Sequence, residues 1–225
     1  MTPSKDDAFH QLSTQTQTPL VCVVDTDEVF RNAASHQLKV AGYRVRAYGS
    51  IGELLETETD TGDEAACLVL DLHMAAPDWL DLQDVITRSA EPLPVVVVTA
   101  RASARDTLQA MKAGARDFFL KPVDGEALVG AVRNAVAHHI SRREALKQVD
   151  ALKARFATLT PRERQVAAMV VTGVPNKDIG MALGAAERTV KLHRANAMEK
   201  MGARSLPDLV RALGRIEAGV SGQTA

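Results

Sequence analysis

The run Cys67-Leu68-Val69-Leu70, followed at once by Asp71, constrains this chain more than any other stretch. An uninterrupted apolar segment of strand length reads as a central strand of a parallel sheet, covered on both faces. An acid at its C-terminal end falls in the crevice beyond the strand ends, where open α/β sheets place their chemistry. A single Asp there is equally well a solvated loop residue, so the neighbouring strands have to decide.

They repeat the pattern. Leu20–Val24 is apolar and ends in Asp25. Val95–Val98 ends in Thr99, and a segment at about 116–120 runs into Lys121-Pro122. Tyr43–Tyr48 alternates and reads as a further strand. Between the strands, the spacing predicts helices at about 28–41 (closed by Gly42), from Ser50 to about Glu56, at about 80–89, and at about 103–113 (closed by Gly114). Loops are expected at 57–64 and 73–79, and a long helical pattern starts near Asp124. Strands alternating with helices give βαβ units, and so an α/β doubly wound, five-stranded parallel sheet. In such a sheet the ends of strands 1, 3, 4 and 5 share one edge. Two carboxylates, a hydroxyl and an ammonium then converge: Asp25, Asp71, Thr99 and Lys121.

A length of 225 residues favours two domains, and charge divides them. Residues 1–139 hold 12 Lys and Arg against 20 Asp and Glu, whereas residues 140–225 hold 15 against 8. A basic second half suits a polyanionic partner. Residues 1–19 are polar and read as a disordered tail. No run is long enough to span a bilayer, no signal peptide is evident, and Cys22 and Cys67 both lie in apolar strands. These features lead us to expect a cytoplasmic protein that does not engage membranes.

Residues 139–158 read as a helical linker after a first domain at 20–138, with His138 and His139 as solvated residues of that stretch. At Thr160-Pro161-Arg162-Glu163 the signals for a new helix coincide: a Thr N-cap, Pro at N1 and Glu at N3. A short helix at about 177–183, capped by Asn176 and broken by Gly184, follows; then one at about 187–201, and a last one at about 206–217 after Ser205. Four helices across 159–217, with a glycine turn between the second and third, fit an all-α helix-turn-helix domain. Residues 218–225 read as a flexible tail.

Several motifs carry a family resemblance. They are Val23–Glu28 (VVDTDE), Cys67–Met74 (CLVLDLHM), Thr99-Ala100 and Ala110–Pro122 (AMKAGARDFFLKP) in the first half. In the second half they are residues 159–180 (LTPRERQVAAMVVTGVPNKDIG) and 187–210 (ERTVKLHRANAMEKMGARSLPDLV). The chain resembles two-component response regulators of the FixJ subgroup: a flavodoxin-like receiver followed by a LuxR/FixJ-type DNA-binding domain.

The resemblance implies that Asp71 accepts a phosphoryl group from a sensor histidine kinase. It implies Mg²⁺ at Asp25, Asp71 and the backbone carbonyl of His73, with Asp27 as a further candidate ligand. Thr99 would be the switch hydroxyl, Phe118 the switch aromatic, and Lys121 the ammonium beside the phosphoryl oxygens. Helix 187–201 aligns with the recognition helix. Lys191, Leu192 and Ala195 match base-facing positions, and Thr189, His193, Arg194, Asn176 and Lys177 are candidates for phosphate contacts. His193 is equally a packed residue bridging helices. The partners implied are promoter DNA, the kinase and a second copy of the chain, paired through the helix at about 103–113 and the fifth strand. Such a protein is a regulator and not an enzyme.

Three positions depart from the family: Thr26 replaces its second acid, Ala75 its Pro, and Trp79 its Gly. They leave open a DNA-binding regulator whose receiver works without phosphorylation. A phosphatase-like enzyme using Asp71 would want an acid two residues on, where His73 stands.

Overall fold

The computed structural model describes residues 18–57, 66–72 and 93–221. Thr57, the first residue of the expected loop at 57–64, is helical, and the rest of that loop, the loop at 73–79, the helix at 80–89, His73, Ala75 and Trp79 lie outside the described residues, as does nearly all of the N-terminal tail. The chain divides into two compact units, with the boundary between Ser141 and Arg142.

In the first unit five parallel strands form one sheet in the order β2-β1-β3-β4-β5: β1 Leu20–Val24, β2 Arg44–Tyr48, β3 Ala66–Leu70, β4 Val95–Thr99 and β5 Asp117–Leu120. The apolar runs become strands because both sheet faces are covered. Leu20, Cys22, Val24, Leu68, Leu70, Val95 and Val97 pack on one face with Leu54 and Ala110, from α2 (Ile51–Thr57) and α3 (Ala104–Lys112). Val21, Val23, Cys67, Val69, Val96 and Val98 pack on the other with Ala34 and Leu38 of α1 (Glu28–Val40) and with Leu128, Val132 and Val136 of α4 (Gly125–Ala157). The two cysteines therefore face opposite layers, and burial pushes the Cys67 thiol far up.

Local signals set the helix starts. Asp27 Oδ1 accepts from the amides of Val29 and Phe30 and caps α1. Ser103 and Asp106 form a reciprocal capping box at α3. Two expectations change in this region. The helix starting at Gly125 runs without a break to Ala157, through the stretch read as linker. His139, expected to be solvated, is only 4% exposed, because it continues the buried stripe of Val132, Ala135 and Val136. His138 is exposed and hydrogen-bonded to Arg116.

The second unit contains α5 Pro161–Val171, α6 Asn176–Leu183, α7 Glu187–Met201 and α8 Leu206–Ser221. Thr160 and Glu163 form the expected capping box, and Glu163 also meets Lys200 Nζ at 2.7 Å. The Lys200 hydrogen bond and the capped amide hold the Glu163 carboxyl down at about 2. The core is built by Val166, Val170, Ile179 and Val190 in one cluster, and by Leu159, Ala197, Met201 and Leu209 in the other. Asn176 is not the cap of α6. Pro175 occupies that position, its carbonyl closing the first turn onto the Ile179 amide at 3.0 Å, and Asn176 is already helical. The final helix continues past 217, so residues 218–221 are helix and not tail. No helix among the described residues is long and apolar enough to cross a membrane.

Candidate functional site

The sheet register brings the polar strand ends together. Val24 pairs with Leu70, so Asp25 and Asp71 leave β1 and β3 side by side. Their amides extend the ladders: Asp71 N–H donates to Val24 O at 3.0 Å and Asp25 N–H to Tyr48 O at 3.1 Å. Thr99 pairs with Leu120, and Lys121 N–H donates to Thr99 O at 2.8 Å. All four predicted residues thus stand on one edge of the sheet.

The Lys121 ammonium joins the two acids. Its Nζ lies 2.6 Å from Asp25 Oδ2 and 3.3 Å from Asp71 Oδ2. Asp25 and Asp71 are buried and Lys121 nearly so. The Asp27 amide donates to Asp25 Oδ1 at 2.8 Å, and Arg31 Nη1 donates to the Asp25 carbonyl at 2.6 Å. Burial pushes the Asp25 carboxyl above its usual range, and the Asp71 charge adds to this against the pull of Lys121. Burial alone would lower the Lys121 ammonium, but its bonds to the two acids outweigh that and hold it high. Thr99 is fully buried, with its hydroxyl donating to Arg101 O at 3.1 Å. Phe118 is half-buried against the α2–α3 side of the core.

Two carboxylates and one ammonium leave one negative charge uncompensated. All-oxygen donors of this kind suit Mg²⁺, which keeps several waters and needs only one or two protein carboxylates. Asp27, the further candidate ligand, uses Oδ1 to cap α1, and Thr26 is exposed. Among the described residues no group of three or more His, Cys, Asp or Glu could hold a metal.

The uncompensated charge has a measurable consequence. Asp25→Asn leaves Lys121 and Asp71 as a one-to-one pair, so it is expected to raise the thermal midpoint, by about 2–4 °C for each kcal/mol gained. The sign follows from the raised carboxyl. Ionised Asp25 costs stability above its folded pKa, and that cost is relieved as pH falls through it. Calorimetry should therefore show the advantage of the mutant at neutral pH and its disappearance on acidification. A lower midpoint at neutral pH would contradict the charge count.

In the second unit α7 turns its core residues Val190, Ala197 and Met201 inward. Lys191, Leu192, Ala195 and Thr189 are exposed, as is Lys177 on α6. Lys191 makes an exposed ion pair to Glu187 at 2.9 Å. His193 and Arg194 are half-buried. His193 Nδ1 and Asn176 Oδ1 are enclosed atoms without a hydrogen-bond partner among the described residues. Arg188, which the sequence reading passed over, is exposed on the face of Leu192 and Ala195, at i, i+4 and i+7. Its spacing was the available signal.

Comparison with known proteins decides what these two units are. Residues 21–133 match the response regulator receiver domain, and residues 157–213 match the bacterial regulatory proteins of the luxR family. The chain belongs to the response regulators with a LuxR-type DNA-binding domain. Among curated relatives of this response regulator, nodulation protein W of Bradyrhizobium diazoefficiens is 39% identical over 192 residues, 85% of this chain and 84% of that protein. The transcriptional regulatory protein FixJ of Rhizobium meliloti is 35% identical over 191 residues, 85% of this chain and 93% of that one. Among solved structures, response regulator StyR superposes with a TM-score of 0.78 at 36% identity, covering 88% of this chain and all of that chain. Full-length FixJ from B. japonicum gives 0.54 at 29% identity, covering 90% and 99%. This response regulator is therefore a transcriptional regulator of the two-component kind. Receiver domains of this kind generally bind Mg²⁺ at the phosphorylation site.

Proposed function

We propose that this regulator is switched by transfer of a phosphoryl group to Asp71 from a sensor histidine kinase, and that it then binds promoter DNA as a homodimer. The observation that carries the reading is the Lys121 ammonium bridging two buried carboxylates at the strand ends. An Asp71 oxygen attacks phosphorus, the bond from phosphorus to the donor imidazole breaks, and its electron pair leaves with that ring. Lys121 keeps its proton throughout and meets the negative oxygens of the arriving group. Asp25, Asp71 and the carbonyl of His73 would hold Mg²⁺, whose charge would offset the repulsion between carboxylate and phosphoryl group.

Phosphorylation adds close to two negative charges at Asp71. The Thr99 hydroxyl, now spent on Arg101 O, has a stronger acceptor to turn to, and Phe118 on the adjacent strand repacks with it. The face of α3 and β5 exposes Leu108, Met111 and Leu120, an apolar group suited to a second copy of the chain. The test is direct: Mg²⁺ and a small phosphodonor should add one phosphoryl group to the intact chain, mapped to Asp71. A second reading, a receiver that works without phosphorylation, is favoured by neutral Thr26 and by the use of Asp27 as a helix cap. No mass gain at millimolar Mg²⁺ would select it.

On DNA, α7 enters the major groove with Lys191, Leu192 and Ala195 toward bases, and Arg188, Thr189, Arg194 and Lys177 toward phosphates. The exposed Glu187 pair holds Lys191 weakly, which leaves it available to guanine. Lys191→Ala is expected to weaken binding to a selected site by about 1–3 kcal/mol, measured by fluorescence anisotropy at fixed salt. An unchanged isotherm would count against α7 as the reading helix.

A further inference from the structure

We propose that Phe30 is a positioning residue for Lys121, its ring holding the ammonium where it can serve the phosphoryl group. This inference rests on the reading of Asp71 as phosphoacceptor. Lys121 Nζ lies 4.3 Å from the centroid of the Phe30 ring, while reaching Asp25 and Asp71 with the same ammonium. The face of an aromatic ring is electron-rich and attracts a cation, more strongly where water is excluded. Lys121 is only 12% exposed.

A lysine stem is flexible, and its ammonium is drawn to water. In the resting site three attachments oppose that pull: two carboxylates and the ring. Transfer to Asp71 changes the charge on one carboxylate, so the electrostatic attachments are redistributed just when the ammonium is needed. Transfer leaves Asp25 and the ring chemically unaltered, and of these the ring is the attachment that carries no net charge of its own.

The support for that ring is also the support for Asp25. Asp27 caps the turn of α1 that carries Phe30, and Arg31, the next residue, donates to the Asp25 carbonyl at 2.6 Å. One turn of helix therefore fixes both the main chain of an acid and the head of its counter-ion. Phe30 also packs against the core cluster of the α1–α4 side. A role in packing alone would be met by any apolar residue of similar size, whereas a role toward Lys121 requires an aromatic face.

That difference is the test. Full-length wild type, Phe30→Leu and Phe30→Tyr are compared in two measurements. The first labels the unphosphorylated proteins with a limiting amine-reactive reagent, reading Lys121 against the other lysines by peptide mass spectrometry. The second follows phosphoryl uptake from acetyl phosphate with Mg²⁺. Phe30→Leu should label Lys121 faster and take up the phosphoryl group more slowly, each by about three- to tenfold, while Phe30→Tyr stays within about twofold of wild type. Thermal midpoints of both variants separate lost packing from lost positioning. The proposal is overturned if wild type is phosphorylated and Phe30→Leu matches it in both measurements, or if Tyr and Leu impair both equally. A wild type that takes up no phosphoryl group overturns the Asp71 reading itself, and this one with it.

Discussion

Asp71→Asn should reduce phosphoryl uptake from near-stoichiometric to background, and with it remove any response of DNA binding to a phosphodonor. An amide lacks the anionic oxygen that attacks phosphorus, and among the described residues the other carboxylate at the strand ends is already engaged. Asp25 is tied through Oδ1 to the Asp27 amide and through Oδ2 to Lys121. The substitution is nearly isosteric, and it removes one of two buried negative charges that share a single ammonium. The fold should therefore survive, with a thermal midpoint equal to or above wild type. Intact-mass spectrometry and calorimetry on the same preparation check both halves. A phosphorylated Asp71→Asn would move the acceptor elsewhere. A collapsed midpoint would mean that the carboxylate stabilises the resting sheet edge.

The second large effect is expected at Gly180, in the helix-turn-helix. A Cβ there would lie 2.7 Å from the Ala185 carbonyl oxygen and 3.7 Å from Val190 Cγ2. The Ala185 amide also donates to Gly180 O at 2.9 Å, so the clash meets backbone already pinned to α6. Two terms oppose each other. Replacing a helical glycine by alanine gains roughly 0.5–1 kcal/mol in propensity. Forcing a methyl group into a packed contact costs typically about 1–3 kcal/mol, toward the upper end where a main-chain atom must give way. Packing should win, so Gly180→Ala destabilises the second unit, Gly180→Val does so more severely, and both shift the start of α7 and weaken DNA binding. Gly214 in α8, with open space around it, is the control: Gly214→Ala should stabilise by the propensity term alone. Denaturant titrations give both signs. A stabilising Gly180→Ala would show that the α6–α7 turn is looser than this packing implies.

Much of this was legible in the sequence, for identifiable reasons. Apolar runs ending in Asp25, Asp71 and Thr99 are local signals, and a parallel sheet converts them into one edge without long-range information. The Thr160–Glu163 box was equally local. What was not legible depended on tertiary contacts or on competing local preferences. The placement of the Phe30 ring over Lys121 joins residues 91 positions apart, and Phe30 lies outside every motif that marks Lys121. Asn176 is a favoured cap residue, but Pro175 with its extended backbone took that place and moved Asn176 into the helix. His139 was assigned to solvent by its polarity, although its spacing from Val132, Ala135 and Val136 put it on the buried face. The glycine-containing end of the chain read as tail, yet α8 carries on to Ser221.

The central claim, a DNA-binding regulator governed by charge at Asp71, is tested most directly by one titration. A DNA site selected by the full-length chain from a random library is titrated with wild type, at fixed salt and Mg²⁺, with and without acetyl phosphate. The account predicts tighter binding, and a shift from monomer to dimer on the site, in the presence of the phosphodonor. Superimposable isotherms, from protein shown by mass to be phosphorylated at Asp71, would contradict it.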